Sequence, residues 1–158
     1  MNKAGYRESF DNFFLEYYSE KYRLPTSFMI EVYLGLLTVT KEPHYIITSI
    51  VDHVIRKNTK QMYKGICLID ATIRFCENKL LHEIFTRIFV STMHALCQNN
   101  RELHPEDISK IITVLTLWEQ QGYFVEHIDI WKSNFKTKNM SKMISLSTNK
   151  LRIAIKER

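Results

Sequence analysis

Three prolines stand in this chain of 158 residues, and each opens a stretch in which apolar residues recur at three- and four-residue spacing. After Pro43 the pattern is Ile46, Ile47, Ile50, Val51 and Val54, which is the period of an α-helix with one buried face. Proline suits the first turn of such a helix, because the N–H it lacks would have no intrahelical partner there. Only four glycines occur, none of them in an Asn-Gly or Asp-Gly pair, so the usual hairpin turns are missing and no strand pattern competes. The chain therefore reads as all-α. Helices are predicted over about Tyr6–Tyr22 (with Phe10, Phe13, Phe14 and Tyr17 inward), Pro25–Thr40, from Pro43, Lys60–Glu77, Leu80–Gln98 and Pro105–Trp118. The last has an acidic first turn, Glu106 and Asp107, as the helix dipole prefers, and Gly122 is its expected stop, followed by a short helix from Val125. Short loops between such helices make neighbours antiparallel, in a bundle or a right-handed stack.

Composition narrows the class. With 45% hydrophobic and 25% charged residues, the chain has material for one folded domain rather than a disordered or fibrous one. No run reaches the length of a membrane span, and the start, MNKAGYRESF, lacks the apolar core of a secretory signal, so a soluble intracellular protein without a membrane partner is expected. The charge is unevenly spread: residues 1–135 hold 15 Lys+Arg against 16 Asp+Glu, a net of −1, and residues 136–158 hold 7 against 1, a net of +6. The expected organisation is thus one helical domain, 1–135, and a basic tail, 136–158, in which Met140, Met143, Ile144, Ser147, Leu151, Ala154 and Ile155 share one helical face. Lys136, Lys138, Lys142, Lys150 and Arg152 are its candidate contacts to nucleic acid, or the tail packs on its own domain.

Chemistry in the ordinary catalytic sense is not indicated. The six histidines have no metal-ligand spacing, and no phosphate loop or nucleophile elbow occurs. Cys67, Cys76 and Cys97 form no C-x-x-C pair and read as reduced core thiols. The expectation is no enzyme, no cofactor, no metal and no small-molecule substrate. Trp118 and Phe124, flanking EQQGY, are expected to plug the core at a helix end.

The informative stretch is the fourth helix, KGICLIDATIRF over residues 64–75. Met62, Ile66, Ile69 and Ile73 fall on one stripe, and Tyr63, Cys67, Asp70 and Arg74 on a second about 100° around it. A carboxylate buried without partners costs several kcal/mol, roughly, so Asp70 needs compensation. Two readings follow: an internal ion pair with Arg74, four residues on, or a groove offering an acceptor at Asp70, a phosphate or carboxylate partner at Arg74, and Tyr63 with Cys67 as floor.

The combination of KQMYKGICLIDATIR with DISKIITVLTLWEQQGYF resembles the RNA polymerase II C-terminal-domain interacting domain of transcription termination and RNA 3′-end processing factors. Members show a pattern like K-L-x-x-x-Y-x-x-D-S-I on one helix and K-I-x-x-x-L-x-x-W-x-x-x-x-x-F on a later one; Asp70, Ile73, Lys110, Ile111, Leu115, Trp118 and Phe124 keep those places. The resemblance implies a right-handed superhelical stack of about eight helices, akin to the VHS and ENTH modules, with a short extra helix near residues 100–104. It implies nuclear localisation and a groove for the polymerase tail, repeats of Tyr-Ser-Pro-Thr-Ser-Pro-Ser. Asp70 would bond the tail's tyrosine or the adjoining backbone, and Met29 would pack on the tyrosine ring.

The departures from the pattern are specific. Cys67 stands where the family usually has tyrosine, Ala71 replaces a serine and Phe28 occupies a position sometimes basic. Thr113 stands where members selective for phosphate on the second-position serine carry arginine, and a neutral hydroxyl replaces a bidentate charge-assisted contact poorly. Arg74 matches an arginine of some members and is the alternative phosphate partner. Tail binding is expected with its phosphate preference open. A trafficking adaptor of the VHS or ENTH type and RNA binding through the basic tail are the other functions the pattern allows.

Overall fold

The computed structural model describes residues 3–19, 21, 24–40, 42–55, 59–98, 103 and 105–138. Among them there are seven helices and no strand: α1 (Lys3–Tyr17), α2 (Ser27–Thr38), α3 (Pro43–Ile55), α4 (Thr59–Phe75), α5 (Lys79–Gln98), α6 (Pro105–Gln120) and α7 (128–138). The all-α reading holds. The predicted extra helix near 100–104, Leu103 apart, and the tail beyond residue 138 lie outside the described residues. The chain divides into two compact units, 1–96 and 97–158, with the boundary in the last turn of α5.

In the first unit, α1 turns Phe10, Phe13, Phe14 and Tyr17 inward, where Phe13 stacks on Tyr33 of α2 with ring centroids 5.9 Å apart. The helix stops at Tyr17, short of the predicted Tyr22, and the reason lies on another element. Lys64 of α4 is buried and its ammonium donates to the carbonyls of Tyr17 (3.1 Å) and Ser19 (3.0 Å), while the Tyr17 hydroxyl donates back to the Lys64 carbonyl at 2.7 Å. A cation on the last carbonyls of a helix meets the negative end of its dipole. Burial holds the Lys64 ammonium below its ordinary range.

Helix α2 begins later than Pro25 because Thr26 caps it, its side-chain oxygen accepting from the Met29 N–H at 3.2 Å. Pro43 does open α3, and Pro105 opens α6. α3 presents Ile46, Ile47, Ile50 and Val54 to the core, and α4 answers with Met62, Ile66, Ile69 and Ile73, all essentially inaccessible. The two approach closely at Gly65, where a Cβ would stand 2.5 Å from Val54 Cγ2. Across the α2–α4 contact, Tyr33 Oη and Thr72 Oγ1 share a buried hydrogen bond of 2.7 Å. α5 buries Phe85, Phe89 and Met93, the two rings 5.6 Å apart.

In the second unit α6 ends as its sequence suggests. Gly122 has φ +78, the Gly122 N–H donates to the Glu119 carbonyl (3.2 Å) and the Tyr123 N–H to the Trp118 carbonyl (2.9 Å), which is a Schellman closure. The chain then turns through Phe124, itself at φ 54, whose ring lies 5.1 Å from Trp118 and 5.3 Å from Trp131. Both tryptophans are fully buried with Ile111, Leu115 and Phe135, so Trp118 is a core plug. α7 starts at residue 128, three residues after the predicted start.

Candidate functional site

The structure separates the two stripes of α4. Met62, Ile66, Ile69 and Ile73 are buried, whereas Tyr63, Cys67, Asp70 and Arg74 are each half-buried. One face of the helix is core and the next is a rim. On that rim Arg74 grips Asp70 with both arms of its fork, Nε donating to Oδ1 at 3.0 Å and Nη2 to Oδ2 at 2.8 Å. The Arg74 side chain is 27% accessible and that of Asp70 13%. The pair sits at the last turn of α4, where an arginine is also favoured by the helix dipole. Arg74 further lies 4.8 Å from the centre of the exposed Phe75 ring. A guanidinium has five N–H donors, and two are used on Asp70, so Arg74 can hold its partner and still present N–H groups to a second anion.

The end of α4 is fixed from outside: His82 Nε2 lies 2.8 Å from the Ile73 carbonyl, and the Cys76 N–H donates to the Thr72 carbonyl at 3.0 Å. Tyr63 and Cys67 reach toward the buried Tyr17, whose hydroxyl is pushed well above the usual phenol range by burial and then by the neighbouring Cys67, Tyr18, Tyr33 and Tyr63.

Met29 is 8% accessible and lines a groove of 430 Å³ between α1 and α2. Its α2 wall is Phe28, Val32 and Leu36, its floor Phe13 and Tyr17, and its α1 wall is polar, with Ser9, Asn12 and Glu16. The sequence reading did not foresee this groove, although its signal is present: α2 carries Phe28, Val32 and Leu36 at four-residue spacing beside Met29, Tyr33 and Leu37, which makes it apolar on two faces.

The remaining candidates belong to the second unit or to the tail. Thr113 is on α6 in the second unit, exposed, with its hydroxyl donating to the Ser109 carbonyl at 3.0 Å. Lys136 is exposed on α7. Lys138 is half-buried, its ammonium donating to the Cys97 carbonyl at 3.0 Å and lying 5.3 Å from the Phe135 ring. Lys142, Lys150 and Arg152 lie outside the described residues.

None of the three cysteines is in a disulfide, and all are half-buried rather than core. Burial pushes the Cys97 thiol up to about 11, with Lys138 opposing, and raises that of Cys76; such thiols are poor nucleophiles near neutrality. Among the described residues no group of three His, Cys, Asp or Glu is placed to hold a metal ion, and no helix is long and apolar enough to cross a membrane. Comparison with protein-family models, with curated proteins and with solved structures returns no match.

Proposed function

We propose that the chain is a binding module for the heptad-repeat tail of RNA polymerase II, coupling transcription to termination or RNA 3′-end processing in the nucleus, with the α4 rim as its contact line. The observation that supports this reading is the half-exposed stripe Tyr63, Cys67, Asp70 and Arg74 running beside a fully buried one. A polar stripe that served only the core would sink its charges. This one leaves the guanidinium 27% and the carboxylate 13% accessible, oriented by one another.

The chemistry matches a peptide of tyrosine, serine, threonine and proline. The tyrosine hydroxyl donates, and Asp70 accepts. A phosphoserine carries about −1.5 to −2 charges at neutral pH, and the outward N–H groups of Arg74 receive it through charge-assisted bonds. On this reading phosphate preference follows Arg74, and tail residues 136–158 add sequence-independent affinity for RNA.

The test is a fluorescence-anisotropy titration with two-repeat peptides, unphosphorylated or phosphorylated on the second, fifth or seventh serine. The expected result is micromolar binding lost in Asp70→Ala, with the preferred phosphopeptide losing its advantage in Arg74→Ala. The Asp70 and Arg74 side chains are only 13% and 27% accessible, so removing one partner costs more than the roughly 0.3 to 1 kcal/mol of an exposed pair. Asp70→Asn, which keeps the shape, is therefore measured beside Asp70→Ala. Absence of binding by every peptide up to millimolar concentration, in protein whose circular dichroism is native, would refute the reading and leave the pair as a structural feature of α4.

A further inference from the structure

We propose that the groove between α1 and α2 is a docking site for an amphipathic helix of a partner protein, apolar on one face and carrying a lysine or arginine on its flank. It is a second site, distinct from the α4 rim, and does not depend on the polymerase-tail reading.

α2 already buries Met29, Tyr33 and Leu37. Its second apolar face nevertheless stands in solvent, with Phe28 73% and Val32 37% accessible. Phe28, Val32 and Leu36 line the groove in consecutive turns, covering about 12 Å at 1.5 Å per residue. That length matches the apolar anchors at i, i+4 and i+7 of a helix laid into a groove.

The nature of the walls selects a helix over an extended peptide. Both are α-helices, whose backbone groups are bonded within themselves, so the groove has no sheet edge to pair with. A strand entering it would bury its own N–H and C=O groups against side chains that are mostly apolar. A helix arrives with those groups satisfied.

Charge fixes the rest. The opposite wall is polar, and among the described residues lining the groove the exposed Glu16 carries the one charge. A basic residue on the flank of the incoming helix complements it and sets the direction in which the helix lies.

The experiment uses the full chain and a fluorescein-labelled peptide of about 16 residues, just beyond the length at which isolated helices become stable. Leucines form one face and lysines one flank. A permuted peptide of the same composition without an apolar face, and a version with glutamates for lysines, are the controls. The amphipathic lysine peptide is expected to bind with a micromolar Kd and the permuted one at least about tenfold more weakly, a difference of about 1.4 kcal/mol.

Val32→Glu should lose about tenfold or more. Phe28→Ser, at a position exposed enough to be tolerated by the fold, should do the same. Glu16→Lys should reverse the preference between lysine and glutamate peptides, and Asp70→Ala should leave binding unchanged, which keeps this site separable from the α4 rim. Equal binding of the permuted peptide, no binding of either, or an unchanged charge preference in Glu16→Lys would overturn the proposal. So would sedimentation showing that the chain dimerises through this face and that Val32→Glu makes it monomeric, because the occupant would then be a second copy.

Discussion

Replacing Gly65 by alanine tests whether α3 and α4 are held at the separation their residues dictate. In an exposed helix interior the change would stabilise by about 0.8 to 1.0 kcal/mol, the difference in helix propensity. Here the new methyl would stand 2.5 Å from Val54 Cγ2, whereas carbon atoms rest at about 3.5 to 4.0 Å. Val54 is fully buried, and a β-branched side chain has little rotamer freedom in a helix, so the strain passes to the α3 backbone, whose Val54 nitrogen is itself 3.6 Å from the new carbon. Overpacking of this kind costs about 1 to 3 kcal/mol, and after the propensity gain a net destabilisation of up to about 2 kcal/mol is expected. Val54→Ala alone should cost about 2 kcal/mol for two buried methyls. Combined with Gly65→Ala it opens the space that the new methyl needs, so the pair should couple favourably by about 2 kcal/mol. Urea denaturation followed by far-UV circular dichroism measures all three variants against wild type. A Gly65→Ala protein stabilised by the full propensity gain of about 0.8 to 1.0 kcal/mol, or a strictly additive double variant, would refute the close-approach argument.

Further outcomes follow from single groups. Tyr18 Oη is buried with no hydrogen-bond partner among the described residues, so Tyr18→Phe should be neutral or stabilising by up to about 1 kcal/mol in thermal melts. Burial raises the Tyr17 and Tyr18 hydroxyls far above 10.0 in the folded state, so stability present below pH 10 should fall as pH rises above it, by up to about 1.4 kcal/mol per pH unit per tyrosine; Tyr18→Phe should make that fall shallower in denaturation series from pH 9 to 11. Lys64→Met removes the donor that serves the Tyr17 and Ser19 carbonyls and should destabilise by about 1 to 3 kcal/mol, visible as faster amide exchange at the end of α1. At Gly122, with φ +78 and open space around it, alanine should cost about 1 to 2 kcal/mol and asparagine less, an order read from denaturation midpoints.

The helices were legible wherever their cause was local. Pro43 and Pro105 mark the starts of α3 and α6, and Gly122 marks the end of α6, because each acts through its own backbone. The double stripe of α4 was legible from period alone, and its rim is half-buried as the pattern required. What the sequence hid has causes that lie far off in the chain. Tyr17 ends α1 through a lysine 47 residues away; nothing near Tyr17 announces it, and Lys64 reads as an ordinary surface charge. Pro25 drew the start of α2 too early because Thr26 outcompetes it by capping. The α1–α2 groove was missed for a different reason. Its apolar residues were visible, but which of two apolar faces on α2 stays open depends on the neighbours that cover the other.

The placement of both tryptophans at the Phe124 turn divides the spectroscopy of the molecule. Trp118 and Trp131 belong to the second unit, and the chain has no other tryptophan, while seven of its eight tyrosines precede residue 97. Emission excited in the red edge of the indole band therefore follows one unit, and tyrosine absorbance follows chiefly the other. Melting curves recorded on the two signals from the same sample will coincide when the units unfold as one cooperative body and separate when they do not, so the wild-type protein can report its own cooperativity with no label attached.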